Sequence, residues 1–244
     1  MRLKDKTAIV TGAGSGFGAG IAKRFAEEGA RVVVNDASGH GEKIAREIGG
    51  RFVQGDVTKS DDWARLVREA GAKLDIVVNN AGWTHRNKAY LEVSEADFDR
   101  VYAVNVKSVY LSAVHAVPVL RKRGGGCFVN IASTAGVRPR PGLTVYNSSK
   151  GAVIIMSKSM AAEFGPDKIR VNCVNPVFSP DTGLSAEFAG GTLSDEAKKR
   201  FLASIPLGRF STPLDVANAC LYLASDDAAM VSGVCIEVDG ARCV

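Results

Sequence analysis

Four short apolar runs open the chain at nearly even intervals: TAIV at 7–10, RVVVN at 31–35, RFVQ at 51–54 and LDIVVNN at 74–80. Between them lie amphipathic stretches: one across Gly16 to Gly29, then GEKIAREIGG, then DDWARLVREAG. A run that is apolar throughout fits a strand buried on both faces. Strands alternating with helical stretches predict a parallel sheet, because a parallel neighbour is reached only through a crossover. The alternation continues with a long helix over about 95–123, a strand CFVNIA at 127–132 and a helix around Tyr146 to Phe164. IRVNCVN at 169–175 and VCIEVDG at 234–240 supply the last two strands.

The expected architecture is therefore α/β: a doubly wound, seven-stranded parallel sheet of Rossmann type, with helices on both faces. No linker, composition shift or repeat divides the chain, so residues 1–244 are read as one domain. One irregular segment, VFSPDTGLSAEFAGGTLS at 177–194, is longer than structural connections usually run and is expected to serve as a substrate lid.

Composition narrows the function. No run approaches the roughly 20 apolar residues that cross a bilayer, and MRLKDKTAIV leads into a strand with no signal-like apolar region. A cytoplasmic protein that uses no membrane is the expectation. The five cysteines are scattered without a CxxC pair, which predicts buried free thiols. The histidines at 40, 85 and 115 are not at ligand spacing, so no metal is assigned. A net charge of +5 invites a nucleic-acid reading. The basic residues, however, are mixed with acidic ones, and the densest cluster, Arg121-Lys122-Arg123 before three glycines, has the chemistry of a helix C-terminus. No nucleic-acid partner is expected.

Directly after the first strand comes TGAGSGFG, 11–18. A glycine-rich turn between strand and helix lets backbone approach a pyrophosphate and presents helix N-terminal amides to it. The literal GxGxxG spacing is not met, since Phe17 occupies its sixth place; Gly12, Gly16 and Gly18 give GxxxGxG instead. Gly12, Ser15, Gly16, Phe17 and Gly18 are the candidate pyrophosphate contacts. Tight turns use glycine for their own sake, so the position after strand one carries the weight. The second strand ends at Asp36, whose carboxylate either caps the next turn or accepts both adenosine ribose hydroxyls and repels a 2′-phosphate. The second reading favours NAD over NADP. Asp56-Val57 at the end of strand three, and Asn80 in NNAG (79–82) at the end of strand four, extend the same edge.

Tyr146 and Lys150, in VYNSSK, share a helix face at i and i+4. They form either an ordinary exposed pair or a phenol whose pKa an ammonium lowers into working range for acid–base chemistry. Ser133, at the end of strand five, is close enough in sequence for its hydroxyl to reach that phenol.

Taken together and in order, TGAGSGFG, Asp56, NNAG, Asn105, Ser133, Tyr146 and Lys150 resemble the short-chain dehydrogenase/reductase superfamily over essentially the whole chain. The resemblance implies hydride transfer between a nicotinamide cofactor and a small alcohol or ketone. Tyr146 would be the acid/base and Ser133 would polarise the reacting oxygen. Lys150 would lower the Tyr146 pKa and bind the nicotinamide ribose, and Asn105 would hold a water linking Lys150 to solvent. It also implies a homotetramer assembled through the two long helices, or failing that a dimer.

Two departures stand out. Asn175-Pro176-Val177 replaces the usual Pro-Gly after strand six, and Asp181 occupies the place of a cofactor-contacting threonine, with Thr182 one residue later. The C-terminal VDGARCV replaces a common VDGG. The loops expected to border the cleft carry Trp83, Arg86, Lys88, Arg138 and Arg140, a placement that would suit an anionic substrate. The favoured reading is an NAD-dependent dehydrogenase of a secondary alcohol, small, cyclic or sugar-like. A 3-oxoacyl-thioester reductase and a non-catalytic nucleotide-sensing protein are the alternatives.

Overall fold

The computed structural model describes residues 1–180, 182, 183, 185, 188 and 194–244. Seven strands, β1 Thr7–Val10, β2 Arg31–Asp36, β3 Arg51–Gln54, β4 Leu74–Asn79, β5 Gly126–Ile131, β6 Ile169–Pro176 and β7 Cys235–Val238, form one sheet in the order β3-β2-β1-β4-β5-β6-β7. Every pairing is parallel. The order reverses between β1 and β4, which opens a crevice beyond the carboxyl ends of those strands.

Side chains alternate across the strands, and each face buries its own core. Ala8, Val10, Val32, Val34, Ile76, Val78 and Val129 point to one side, where helix α1 (Gly16–Glu27) covers them. Ile9, Val33, Val77, Phe128 and Val171 point to the other, against α3 (Ser60–Ala70), α5 (Ser108–Arg123) and α6 (Thr144–Phe164). Helices α2 (His40–Glu47) and α4 (Glu95–Tyr102) complete the first half.

Two helices were not foreseen from sequence: Asp195–Leu202 and Pro213–Ala224. The second buries Val216, Ala217, Cys220 and Leu221 beside α1, and a Cβ on Gly20 of α1 would meet Pro213 Cβ at 2.7 Å. It begins with a full capping box, Thr212 and Asp215 each satisfying the other's backbone N–H. Its signal was legible as Thr-Pro-x-Asp before an apolar run.

The Arg121–Arg123 cluster is the last turn of α5, ended by Gly124 at φ 89°. By length and mean hydropathy of 1.3, the helical run Glu95–Arg123 could cross a bilayer, contrary to the sequence expectation. Half of its apolar window is buried within the protein, with Val109, Leu111, Val117 and Leu120 in the core, as in a central helix of a packed sheet. Cys127, Cys173 and Cys220 are buried, Cys235 and Cys243 are half-buried, and all five are free.

Candidate active site

The switch-point crevice holds two cavities that share Gly12, Asp36, Ala81 and Gly82. The glycine turn forms the floor. Gly12 takes φ 60° and Gly16 φ 53°, conformations that suit glycine. A Cβ on Gly12 would stand 2.8 Å from Ala81 Cα, so the turn and the NNAG segment are packed backbone to backbone. Asn80 locks that contact, its Nδ2 donating to the carbonyls of Thr11 (2.8 Å) and Gly12 (3.0 Å). Gly18 lies behind the floor, where a Cβ would collide with the Gly12 carbonyl.

One cavity, about 420 Å³, is lined by Asp36, Asp56, Val57 and Trp83 among others. The Asp36 carboxylate accepts from Gly14 N (3.0 Å), Ser38 N (2.9 Å) and Ser38 Oγ (2.7 Å), so it is fixed facing the glycine turn. Asp56 accepts from Thr58 N at 2.9 Å and caps the start of the next segment. Trp83, on a loop expected to border the cleft and open from sequence as either a pocket wall or a packed loop residue, lines this cavity, with the Arg100 guanidinium 4.3 Å from its ring centroid.

The other cavity, about 290 Å³, is lined by Gly12, Ser15, Gly16, Phe17 and Asp36 on one side. Ser133, Tyr146 and Lys150 line the opposite side, together with Arg140, Phe178 and Phe188. The glycine-rich floor, the start of α1 at Ser15–Phe17 and a fixed carboxylate fit a dinucleotide laid across both cavities.

Helix α6 presents Tyr146 and Lys150 one turn apart, and both are buried. Lys150 Nζ donates to Ile131 O at 2.8 Å, which ties the helix to the end of β5, and stands 5.7 Å from the Tyr146 ring centroid. Ser133 starts a 3₁₀ turn, Thr134–Gly136, which carries its hydroxyl toward the Tyr146 phenol. Between α4 and α5 the helix widens into a π turn, Ala103–Lys107, that contains Asn105. Asn105 grips the segment after β4: Oδ1 accepts from Trp83 N (2.8 Å), and Nδ2 donates to Trp83 O (2.9 Å) and to Ser149 Oγ (2.9 Å). Both amide hydrogens are thus committed to protein, and one Oδ1 lone pair is left for any water.

The electrostatics correct one expectation. Tyr146 was expected to have a lowered pKa through Lys150; burial instead pushes it up to about 12, while the Ser133 hydrogen bond and the Arg140 charge pull it down. Burial pulls Lys150 down from 10.5 to about 8. Desolvation outweighs the attraction because both groups are withdrawn from water.

The basic loop residues separate sharply. Lys88 pairs with Asp97 at 2.7 Å, Arg138 donates to the Arg242 carbonyl, and Arg86 is engaged. Arg140 alone of these lines the cavity with Tyr146. Of the expected lid over 177–194, Val177, Phe178, Ser179, Thr182, Gly183 and Phe188 line the same cavity. Asp181, with residues 184, 186, 187 and 189–193, lies outside the described residues. Thr182 Oγ1 donates to Ser179 O at 3.0 Å.

Sequence reading missed the aromatic wall. Phe188 meets Tyr146 edge-on at 4.9 Å, Phe178 meets Phe201 at 5.2 Å, and Phe210 follows at 5.8 Å from Phe178. Phenylalanines recurring through the irregular region were the available signal. The buried Ser179 hydroxyl, which has no partner among the described residues, was missed as well.

Residues 12–241 match the family described as enoyl-(acyl carrier protein) reductase. A 4-formylbenzenesulfonate dehydrogenase of Comamonas testosteroni is 49% identical, over 99% of both chains. The chain belongs to the short-chain dehydrogenase/reductase superfamily. Within that superfamily, a 2,5-dichloro-2,5-cyclohexadiene-1,4-diol dehydrogenase of Sphingobium indicum is 37% identical over 98% of this chain and 96% of its own. The crystal structure of a 3-ketoacyl-(acyl-carrier-protein) reductase from Brucella melitensis complexed with NADH superposes with TM-score 0.93 at 41% identity, covering 99% of this chain and 100% of that one. The chain is an oxidoreductase of this superfamily.

Proposed function

We propose that the chain is an NAD(H)-dependent dehydrogenase that interconverts an alcohol and its carbonyl compound at Ser133, Tyr146 and Lys150. The observation that carries this reading is the convergence of the Ser133 and Tyr146 hydroxyls, with Lys150 behind them, in the cavity whose far side is the glycine turn. The nicotinamide supplies the hydride acceptor or donor. In reduction, the Tyr146 phenol gives its proton to the carbonyl oxygen while the Ser133 hydroxyl holds that oxygen as charge develops on it. In oxidation the proton moves the other way, from the alcohol to the Tyr146 oxygen in its phenolate form, which the Ser133 hydrogen bond and the Arg140 charge favour against burial. The bond from Lys150 to Ile131 ties the helix that carries the phenol to the end of β5, and Asn105 holds the segment after β4 through Trp83.

Asp36 supports NAD over NADP, because a carboxylate already fixed by Gly14 and Ser38 would repel a 2′-phosphate. The NADH in the Brucella relative is consistent with that choice. The substrate class is a small cyclic or secondary alcohol, widened to aromatic aldehydes by the aldehyde in the Comamonas relative's name. A second reading, reduction of a 3-oxoacyl thioester, is favoured by the Brucella relative's description. Exposed Tyr110 and Val114 on α5 and Ile155 on α6 support assembly as a homotetramer. The whole chain is read as one domain in the cytoplasm.

The test follows nicotinamide absorbance over a panel of secondary alcohols, benzylic alcohols, aldehydes and an acetoacetyl thioester, with NAD and NADP in parallel. Turnover with NAD that disappears in Tyr146→Phe is the expected result. Preferred turnover of the thioester would install the second reading. Tight NADH binding with no turnover of any member would favour a nucleotide sensor.

A further inference from the structure

Arg140 is the one basic residue of the cleft loops that the proposed chemistry leaves without work. It is half-buried and lines the cavity with Ser133 and Tyr146. Among the described residues its guanidinium has no carboxylate partner; the charge that acts on it most strongly is the like charge of Arg242. Its backbone is nevertheless held in place, with Asn147 Nδ2 donating to the Arg140 carbonyl at 2.8 Å. Asn147 directly follows Tyr146 on α6, so the arginine is in register with the phenol.

The surroundings of this cation are aromatic. The Arg140 guanidinium lies 5.7 Å from the Phe188 ring centroid and 5.0 Å from that of Phe201. Phe188 in turn meets Tyr146 edge-on. The wall from reacting oxygen to guanidinium is therefore one ring long. A second buried guanidinium, Arg242, stands 5.1 Å from Phe201 and donates from Nε to Ser204 Oγ at 3.1 Å. A ring face returns only a small part of what a guanidinium gives up on leaving water. Two such cations converge on the same ring and neither is ion-paired among the described residues; the nearest described carboxylate to Arg242, Asp239, is taken up by the backbone N–H groups of Ala241 and Cys243, so this end of the cavity favours an anion.

We propose that Arg140 is the anion receptor of the substrate site, and that the substrate is a planar, ring-bearing alcohol or carbonyl compound with a sulfonate or carboxylate at the end away from the reacting carbon. This proposal rests on the dehydrogenase reading for the identity of the reacting end. A guanidinium fork takes either anion through two parallel N–H···O bonds. The aromatic wall takes the ring, and Ser133 and Tyr146 take the oxygen. The Arg140 charge also acts on Tyr146, pulling its pKa downward against burial, so anion binding and proton transfer are electrostatically linked.

The experiment compares 4-formylbenzoate with its methyl ester as substrates for NADH oxidation, in the wild type, Arg140→Met and Arg140→Lys. The readout is the ratio of kcat/KM for the acid to that for the ester within each protein. The ratio is expected to be about 100 in the wild type, in line with a charge-assisted contact. It should collapse toward 1 in Arg140→Met and recover in part in Arg140→Lys. A wild-type ratio near 1, or one unchanged in Arg140→Met, overturns the proposal while leaving the dehydrogenase reading intact. If neither compound is turned over, the dehydrogenase reading fails for this class, and calorimetric binding of benzenesulfonate in the presence of NADH decides the anion site separately. Binding that is lost in Arg140→Met supports it, and equal binding by both proteins overturns it.

Discussion

The two ends of the groove are built by different means. Around Gly12, Asp36 and Asn80 the surface is backbone and short polar side chains, fixed by hydrogen bonds between the glycine turn and the carboxyl ends of β2 and β4. Around Arg140, Phe188 and Phe201 it is long side chains from distant parts of the chain, meeting through ring and cation contacts. The first end can accept the same ligand throughout a superfamily; the second can be rebuilt without disturbing the sheet. Tyr146 is the hinge between them, anchored through α6 and facing both.

Breaking that hinge should give the largest effect. Tyr146→Phe removes the proton donor while keeping the ring against Phe188. A loss of about 10³-fold in kcat is expected in both directions, with NADH binding retained by fluorescence titration. An equal loss of NADH binding would mean the two ends are not separable. Next in size, Asp36→Ala should shift the NAD-to-NADP preference in kcat/KM by about 100-fold, the effect of removing one charge repulsion. The acid-to-ester preference measured for Arg140 should stay where it was. Movement of both preferences together would break the comparison.

The same contrast explains what was legible in the sequence. The strands at 7–10 and 51–54 and the glycine turn could be read because their determinants are local: short apolar runs, turn glycines and a carboxylate at a strand tip. Tyr146, Lys150 and Ser133 stayed open on spacing alone, which suits an ordinary exposed pair as well; it was the resemblance of the ordered motifs to the superfamily that placed them. Arg140 could be named as a cleft cation but not separated from Arg86, Lys88 and Arg138, since separation depends on partners such as Asp97 that only tertiary structure supplies. The direction of the Tyr146 shift was misjudged for a related reason. Adjacency on a helix is local, whereas the burial that dominates comes from every element packed over the site.

Burial of Lys150 gives a prediction with a definite sign. Its proton is held less tightly in the folded chain, at about 8, than at the ordinary lysine value of 10.5. Below pH 8 both states carry the proton, and the folded state bears the full cost of a buried charge, on the order of 3 kcal/mol before the bond to Ile131 is counted. Between the two values the unfolded chain binds more protons, so this group's contribution to stability rises with pH. Lys150→Met should therefore be inactive yet about 2 kcal/mol more stable than wild type at pH 7 by urea unfolding. The advantage should shrink steadily toward pH 10. A margin that does not change with pH would show that Lys150 is not desolvated.

The smallest effect lies beneath the substrate end. Ala241 holds φ 70°, in the left-handed region, at the position where the related pattern VDGG has glycine. Its neighbours make that conformation useful: the Asp239 carboxylate accepts from the N–H groups of Ala241 (3.0 Å) and Cys243 (2.8 Å), and the turn so formed carries Arg242 into the protein beside Phe201. A methyl group in this region costs about 1 kcal/mol that glycine avoids, although glycine gives some of it back as unfolded-chain entropy. Ala241→Gly should raise Tm by about 2 °C or slightly more for a chain of this length. An unchanged or lowered Tm would mean the turn is not strained. In that case the positions of Arg242 and Phe201 come without local cost, and the cation end of the cavity would be assembled from side-chain contacts alone.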